Sequence, residues 1–286
     1  MSDIEIRHVS KAYGKTKALK DVSVAITGAK VYGLLGRNGA GKTTLLNILT
    51  NRIFADSGEI RVDGESAMEN DRAQAKIFYM TEQTLYPKNM RVRNVFQLTR
   101  GFYPSFDLTY AHALAERFQL RPESRIGALS TGYLSIFKLI LTLASNAPVM
   151  IFDEPVLGLD ANHRDLFYRE LLARYQAAPN TVILSTHLIE EAAALLEEVI
   201  ILKEGQVLFA RPVDELLQLA YVVSGSQENI DRYAKGKRVI REEALGRYKS
   251  ITIYQPCSSA DQEMLARLGL DQAPARLQEL FINLTN

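Results

Sequence analysis

The sequence has 286 residues, of which 47% are hydrophobic and 23% are charged, the composition of a globular chain with one large domain or one large and one small domain. Its formal net charge is +1 and no basic stripe is present, so the sequence does not indicate an extended nucleic-acid-binding surface. The single cysteine, Cys257, excludes an intrachain disulfide, and without an apolar leader or an apolar run of roughly 18 residues we expect a chain that does not itself cross a membrane.

Strands dominate the first eighty residues, where short stretches of alternating or continuous apolar residues are bounded by glycine and charged residues. The strands are predicted at residues 4–9, 21–26, 31–35, 57–64 and 77–81. A single helix is predicted in this region, at residues 44–51.

A glycine-rich loop joins the third of these strands to the helix and fits the phosphate-binding pattern G-x-x-x-x-G-K-[ST]. The loop consists of Gly36, Arg37, Asn38, Gly39, Ala40, Gly41, Lys42, Thr43 and Thr44. Its glycines let backbone N–H groups turn toward phosphate oxygens, and the helix N-terminus adds positive potential. Lys42 offers a charge to the β- and γ-phosphates, and Thr43 offers a hydroxyl to Mg²⁺. A chance glycine turn is the alternative, and the order of strand, loop and helix argues against it.

Between about residues 84 and 145 the sequence predicts helices instead of strands. Apolar residues recur at intervals of three and four through residues 92–120, and residues 103–107 break this stretch into two helices. The expected buried face contains Val92, Val95, Phe96, Leu98, Ala111, Leu114, Ala115 and Phe118. We therefore expect a helical subdomain inserted into an α/β core.

The core resumes with residues 149–152, a continuous apolar run typical of a strand buried on both faces. A helix at 165–176, a strand from 181, a helix at 190–198 and a hairpin of residues 199–203 and 206–210 are predicted to follow. Alternating strands and helices around a phosphate-binding loop predict an α/β P-loop fold with a mostly parallel core sheet and an antiparallel N-terminal part.

A domain boundary is predicted near residue 216. Residues 1–215 would form the α/β domain and residues 216–286 a small α+β accessory domain, which is marginal in size for independent stability. Its predicted strands are 221–224, 238–241 and 248–254, and its predicted helices are 227–233, 260–268 and 276–284.

Asp153 and Glu154 follow the apolar strand directly, a position suited to a metal ligand and a general base. The Asp153 carboxylate would hold Mg²⁺ opposite Thr43, and Glu154 would polarise the water that attacks the γ-phosphate. The alternative is a solvated acidic pair at the end of a core strand, which is less favoured behind a phosphate-binding loop.

The order and spacing of these motifs resemble those of the ATPase subunits of ABC transporters over residues 4–212. The resemblance assigns five roles: Tyr13 to adenine stacking, residues 36–44 to the phosphates, Asp153 with Thr43 to Mg²⁺, Glu154 and His187 to catalysis, and Asp160 to the D-loop at residues 157–160. Taken singly, Tyr13 fits an exposed turn tyrosine and His187 a histidine at a strand end. Their joint occurrence in this order favours the family.

The signature segment departs from the family pattern LSGGQ. Here Leu129 is followed by Ser130, Thr131, Gly132 and Tyr133. Ser130 and Gly132 keep the hydroxyl and the backbone N–H that the family presents to the γ-phosphate held by the partner. The changes at Thr131 and Tyr133 are expected to affect the hydrolysis rate more than ATP binding.

The Q-loop is the second departure, because Glu82 falls at the usual glutamine position and Gln83 follows it. Either side chain is a candidate for the one that approaches Mg²⁺. In the family, a groove near this loop grips a short cytoplasmic helix of the permease.

The resemblance implies an ATPase that uses ATP and Mg²⁺ and pairs with a second copy or a related subunit, since each signature completes the ATP site of the other subunit. It implies a multi-span membrane permease as partner and a peripheral position for this chain at the cytoplasmic face of the membrane. No nucleic-acid partner is expected. The helical block and the tail resemble those of bacterial exporters of drugs, antimicrobial peptides or other amphipathic cargo.

Two other functions are left as alternatives. One is a soluble ABC ATPase that acts on DNA or ribosomes, which the near-neutral charge and the short separation of Lys42 from Asp153 argue against. The other is a regulatory nucleotide binder with little hydrolysis, which the altered signature would explain.

Overall fold

A computed structural model describes residues 2–285. The chain folds into two units, one formed by Met1–His187 with Glu198–Ala210 and the other by Leu188–Glu197 with Arg211–Asn286. This division differs from the predicted boundary at residue 216, because the short helix after His187 packs with the last helix of the chain. Within residues 2–285, no helix is long and apolar enough to cross a membrane.

The first unit contains two sheets. In chain order the strands up to residue 212 are β1 (Ile4–Tyr13), β2 (Thr16–Ile26), β3 (Val31–Gly36), β4 (Ser57–Val62), β5 (Glu65–Ser66), β6 (Ile77–Met80), β7 (Val149–Asp153), β8 (Thr181–Ser185), β9 (Glu198–Lys203) and β10 (Gln206–Pro212). The spatial orders are β2-β1-β4-β5 and β10-β9-β3-β8-β7-β6. The first sheet is antiparallel, and register shifts in β1 let its pairing with β2 continue beyond the predicted strand ends.

The second sheet is parallel from β9 through β3, β8 and β7 to β6. Every residue of β3, β7 and β8 is buried, which explains their continuous apolar sequences. The predicted α/β fold, with a mostly parallel core and an antiparallel N-terminal part, is confirmed. The carboxyl ends of parallel strands meet at one edge, so the segments after β3, β7 and β8 lie near one another.

The helices of the first unit are α1 (Lys42–Leu49), α2 (Asp71–Gln74), α3 (Val92–Phe102), α4 (Leu108–Arg117), α5 (Thr131–Ala144) and α6 (Ala161–Ala177). Helices α3, α4 and α5 pack against one another within the predicted helical block. The residues expected on its buried face are fully buried except Leu98, whose exposed fraction is 44%. Asp107 caps α4 by accepting a 2.9 Å hydrogen bond from the Tyr110 N–H.

The second unit contains α7 (Ile189–Ala192), α8 (Val213–Gln218), β11 (Tyr221–Ser226), α9 (Gln227–Tyr233), β12 (Val239–Leu245), β13 (Tyr248–Ile253), α10 (Ser259–Leu268), β14 (Asp271–Pro274) and α11 (Leu277–Thr285). The helix expected at 190–198 is shorter than predicted, because the chain must turn before β9 begins at Glu198. The last strand was not expected, since all four of its residues are exposed and show no apolar alternation.

A ferredoxin-like arrangement organises this unit. From β11 to β14 the elements follow the order βαββαβ, the sheet order is β12-β13-β11-β14, and all neighbouring strands are antiparallel. Ile230 and Tyr233 from α9 and Leu265 from α10 pack with the buried sheet residues Val223 and Ile251. The unit therefore has a hydrophobic core of its own.

Candidate nucleotide-binding site

The glycine-rich loop runs from the end of β3 to the start of α1. Gly41 caps α1 with a φ of +105°, a backbone conformation that other residues rarely adopt. A Cβ on Gly36 would lie 2.8 Å from the Leu202 carbonyl oxygen, so a side chain there would force β3 away from β9. The Ala40 N–H donates to the Arg37 carbonyl oxygen over 3.0 Å, which closes the turn. These backbone constraints shape the loop as an anion cradle at a helix N-terminus.

Lys42, the first residue of α1, has only 9% of its surface exposed. Its Nζ donates to the Gly36 carbonyl oxygen over 2.6 Å. Burial lowers the pKa of Lys42, and the negative charges of Glu154 and Asp153 oppose that shift. The remaining loop residues differ in exposure: Arg37, Asn38, Gly39 and Thr43 are exposed, Thr44 is half-buried and Ala40 is buried.

Asp153 closes β7 and is 4% exposed. Its Oδ2 accepts hydrogen bonds from the Thr43 hydroxyl at 3.2 Å and from the Tyr79 hydroxyl at 3.0 Å. A buried carboxylate beside the Thr43 hydroxyl oxygen is a donor pair suited to Mg²⁺, which prefers oxygen ligands. No cluster of three or more His, Cys, Asp or Glu residues in the described chain is arranged to hold a metal.

Glu154 turns the chain sharply after β7. Its φ is +49°, and its N–H donates to the Ser185 carbonyl oxygen over 2.8 Å, tying the end of β7 to the end of β8. The side chain then reaches His187, whose Nδ1 lies 2.7 Å from Glu154 Oε2. The Glu154 side chain is 21% exposed, so its carboxylate is oriented by the imidazole and still reachable by water. That arrangement suits a proton acceptor.

The signature segment forms the first turn of α5, where Ser130 Oγ accepts a hydrogen bond from the Tyr133 N–H over 3.3 Å. Gly132 approaches the D-loop so closely that a Cβ would lie 2.7 Å from the Gly158 carbonyl oxygen. The Tyr133 ring meets His163 edge-on, with 6.3 Å between ring centroids. The signature and the D-loop of one chain are therefore in close contact.

The D-loop residue Asp160 caps α6. Its Oδ1 accepts from the His163 N–H over 2.9 Å, and its Oδ2 lies 2.8 Å from His163 Nδ1. The hydrogen bonds from His163 lower the pKa of Asp160. On the facing helix, the Thr131 methyl lies 3.4 Å from where a Cβ on Gly158 would be.

The Q-loop residues Glu82 and Gln83 follow β6 with exposed side chains. The Glu82 carbonyl oxygen accepts from Lys138 Nζ over 2.8 Å, and that of Thr81 accepts over 3.0 Å. Lys138 is 7% exposed, and this burial lowers its pKa, while the negative charge of Glu82 opposes the shift. The contact went unpredicted, although a lone lysine inside the apolar run of α5 was a visible signal.

Tyr13 lies at the end of β1 with 51% of its surface exposed. Lys11 Nζ lies 5.9 Å from the Tyr13 ring centroid. In the described chain no hydrogen bond or ring contact joins Tyr13 to loop 36–44, so its predicted role at adenine stays a prediction.

A groove with a volume of about 460 Å³ opens between the end of α1, strand β6 and helix α3. Residues that line it include Arg52, Phe78, Tyr79, Leu98 and Phe102. Leu98 is 44% exposed and Phe102 is 74% exposed, so this surface presents apolar side chains to solvent.

Comparison with solved structures gives the fold. The chain matches a dimeric ATP-binding cassette in a post-hydrolysis state with ADP and Pi, with a TM-score of 0.65 and 23% identity over 73% of this chain and 98% of that one. The sequence profile of the ABC transporter family matches residues 19–157.

Comparison with curated proteins covers nearly the whole chain. The Nod factor export ATP-binding protein I of Burkholderia lata is 29% identical over 100% of this chain and 97% of that protein. The ABC transporter ATP-binding protein YtrB of Bacillus subtilis (strain 168) is 32% identical over 98% of this chain and 97% of that protein. A likeness of this extent, joined to the geometry of the phosphate-binding loop, shows that the chain belongs to the ATP-binding subunits of ABC transporters, which are ATPases.

Proposed function

We propose that two such subunits pair around two molecules of Mg-ATP and that the pair drives a separate membrane permease. The observation that carries this proposal is the convergence of Lys42, Asp153 and the Glu154–His187 pair at one edge of the parallel sheet. A phosphate cradle, an oxygen donor set for a cation and an oriented carboxylate are the parts that phosphoryl transfer to water requires.

The chain's residues would divide the work of hydrolysis. Lys42 and the loop backbone hold the β- and γ-phosphates, while Thr43 and Asp153 hold Mg²⁺, which supplies positive charge against the charge on the phosphates. Glu154 orients the attacking water and accepts its proton, since its carboxylate is partly exposed and fixed by His187. His187 would sense the γ-phosphate from the end of β8, and Tyr13 would stack on adenine.

We infer pairing because one chain carries one phosphate-binding loop and one signature, and in the family each signature completes the ATP site of the other subunit. Ser130 and Gly132 would complete the nucleotide site of a partner, either a second copy or a related subunit. The close contact between Gly132 and Gly158 supports this, since the D-loop and the signature would then face the partner together.

The groove would receive a short helix of a multi-span permease at the cytoplasmic face of the membrane. Its exposed Leu98 and Phe102 suit the apolar face of such a helix. The relative named for Nod factor export supports export as the direction. The cargo would be peptides, drugs or other amphipathic compounds.

The proposal is tested with the chain and its permease in inside-out vesicles. We expect Mg²⁺-dependent ATP hydrolysis that rises when the permease is present, and cargo accumulation inside the vesicles when ATP is added outside. Hydrolysis that needs no Mg²⁺ would contradict the metal assignment, and cargo movement out of the vesicles would contradict export.

A regulatory nucleotide binder is the second candidate, favoured by Thr131 and Tyr133 in the signature. It predicts tight Mg-ATP binding without hydrolysis even when the permease is present. The same vesicles distinguish the two functions, since only an active pair releases phosphate.

A further inference from the structure

Tyr79 joins two parts of the molecule that the proposed function uses separately. Its hydroxyl donates to Asp153 Oδ2 over 3.0 Å, and its ring lines the groove. The guanidinium of Arg52, which follows α1, lies 4.9 Å from the ring centroid. One side chain therefore touches the candidate metal ligand at its tip and the groove along its ring.

The aromatic ring of Tyr79 is rigid, so the hydrogen bond to Asp153 depends on where the ring lies in the groove. A phenol moves as one body, so a displacement of the ring within the groove carries the hydroxyl away from Asp153. Because Asp153 is 4% exposed, water is poorly placed to replace the lost donor.

We propose that Tyr79 is a positioning residue that transmits occupancy of the groove to the metal-binding carboxylate of Asp153, and the state of that carboxylate back to the groove. This inference rests on the proposed roles of the groove and of Asp153. Linkage makes the effect reciprocal: an occupant that shifts Tyr79 changes the affinity for Mg²⁺, and Mg²⁺ changes the affinity for that occupant by the same factor.

The position of Arg52 supports this role. Helix α1 begins at the phosphate-binding loop and ends shortly before Arg52, so one helix connects that loop to the cation that covers the Tyr79 ring. Arg52 also lines the groove, so an occupant that displaces Arg52 would displace the ring as well.

Tyr79→Phe removes the hydroxyl and keeps the ring in the groove. Without the donor, the Asp153 carboxylate is free to turn toward Lys42. We expect the affinity for ATP to fall about tenfold in the presence of Mg²⁺, the size of one hydrogen bond to a charged group, and to stay within about twofold in EDTA. Isothermal titration calorimetry under both conditions measures this.

Tyr110→Phe is the matched control, because the Tyr110 hydroxyl also donates to a carboxylate, that of Glu170, at 3.2 Å and outside the site. This variant should bind ATP like the wild type under both conditions. Equal Mg-ATP affinities for Tyr79→Phe and Tyr110→Phe would overturn the link between Tyr79 and the metal site.

The groove provides a second readout, since the sequence contains no tryptophan. Phe102→Trp places one fluorophore on the groove, at a position that is 74% exposed. We expect Mg²⁺, added to this protein with ATP, to shift the tryptophan emission. Adding Tyr79→Phe should reduce the shift at least about threefold, and adding Tyr110→Phe should leave it unchanged.

The proposal that Tyr79 links the groove to Asp153 would be overturned by either of two results. One is an emission shift that persists when Tyr79→Phe is added to Phe102→Trp, and the other is no emission shift in Phe102→Trp alone. A failure of the proposed nucleotide and metal roles gives a different result, because the wild-type chain would then show no Mg²⁺-dependent ATP binding in the calorimeter, and a failure of the transport role alone appears only in the vesicle assay. The two failures are thus separated by the wild-type titration.

Discussion

Lys42 is the residue on which nucleotide binding should depend most. The Lys42 residue is almost fully buried, and its Nζ donates to the Gly36 carbonyl oxygen. Phosphate oxygens of a bound nucleotide can take the place of that carbonyl oxygen as acceptors. We expect Lys42→Ala to weaken ATP binding by at least about tenfold, the cost of losing a charge-assisted hydrogen bond. Calorimetric titration measures it, with the exposed Lys235→Ala as control. Near-normal affinity of the Lys42 variant would show that the loop is not the phosphate site.

Gly132 is required for a close approach of two backbones. A Cβ there would lie 2.7 Å from the Gly158 carbonyl oxygen, so Gly132→Ala must push the signature away from the D-loop. We expect this overpacking to cost about 1–3 kcal/mol of folding free energy and to lower Tm by roughly 2–10 °C. Hydrolysis should fall, while ATP binding should persist.

Gly101→Ala is the matched control for that substitution. Gly101 lies in α3, and an added Cβ would meet nothing within 4 Å. Alanine there should leave Tm unchanged or raise it slightly, because it restricts the unfolded chain. A thermal melt in which both variants behave alike would contradict the close approach at Gly132.

Single residues differ in how far the sequence reveals them. Lys42 and Thr43 were predictable because their spacing to the glycines is local, and Asp153 because it ends an apolar strand. Tyr79 and Lys138 were not, since their partners lie 74 and 57 positions away in the chain. Only the folded sheet brings those groups together.

At the scale of elements, removal of the second unit tests whether nucleotide binding depends on that unit. We expect a chain truncated after residue 210 to bind ATP within about threefold of the full chain, because every nucleotide motif precedes that point. Its Tm should fall, since α11 no longer packs with α7 and the buried Ile189 loses cover. A folded truncation without ATP binding, judged by circular dichroism and calorimetry, would contradict this assignment.

Elements with a strong local pattern were predicted closely. The strand before the phosphate-binding loop was expected at 31–35 and is Val31–Gly36, because its run is apolar throughout. The last strand, Asp271–Pro274, was missed because pairing with β11 alone defines it, without an apolar face. The helix at Ile189–Ala192 was expected to be longer, since the sequence does not show where β9 must start.

At the scale of the whole molecule, the altered signature bears on the turnover of the isolated chain. Thr131 and Tyr133 depart from the family's signature, the segment that completes the partner's nucleotide site, so we expect slow hydrolysis by the purified protein. A phosphate-release assay measures this rate. Turnover on the order of 10 s⁻¹, a typical enzyme value, would show that the signature is unimpaired.

ATP-dependent pairing is the central claim, and Glu154→Gln tests it most directly. Glutamine keeps the size of the side chain but is a poor proton acceptor, and loss of a general base costs about 10²–10⁴ in rate. Lys42, Thr43 and Asp153 would still hold Mg-ATP, so a closed pair should accumulate. Glu263→Gln, an exposed site in the second unit, is the control and should hydrolyse ATP like the wild type.

The decisive measurement is size-exclusion chromatography with light scattering on Glu154→Gln, combined with phosphate release from the same sample. The result we predict is a dimer with Mg-ATP, a monomer with Mg-ADP, and hydrolysis reduced at least about a hundredfold. A monomer with Mg-ATP would contradict pairing of the chain with itself and leave a related subunit as the partner. Wild-type turnover by this variant would contradict the role of Glu154 as the base.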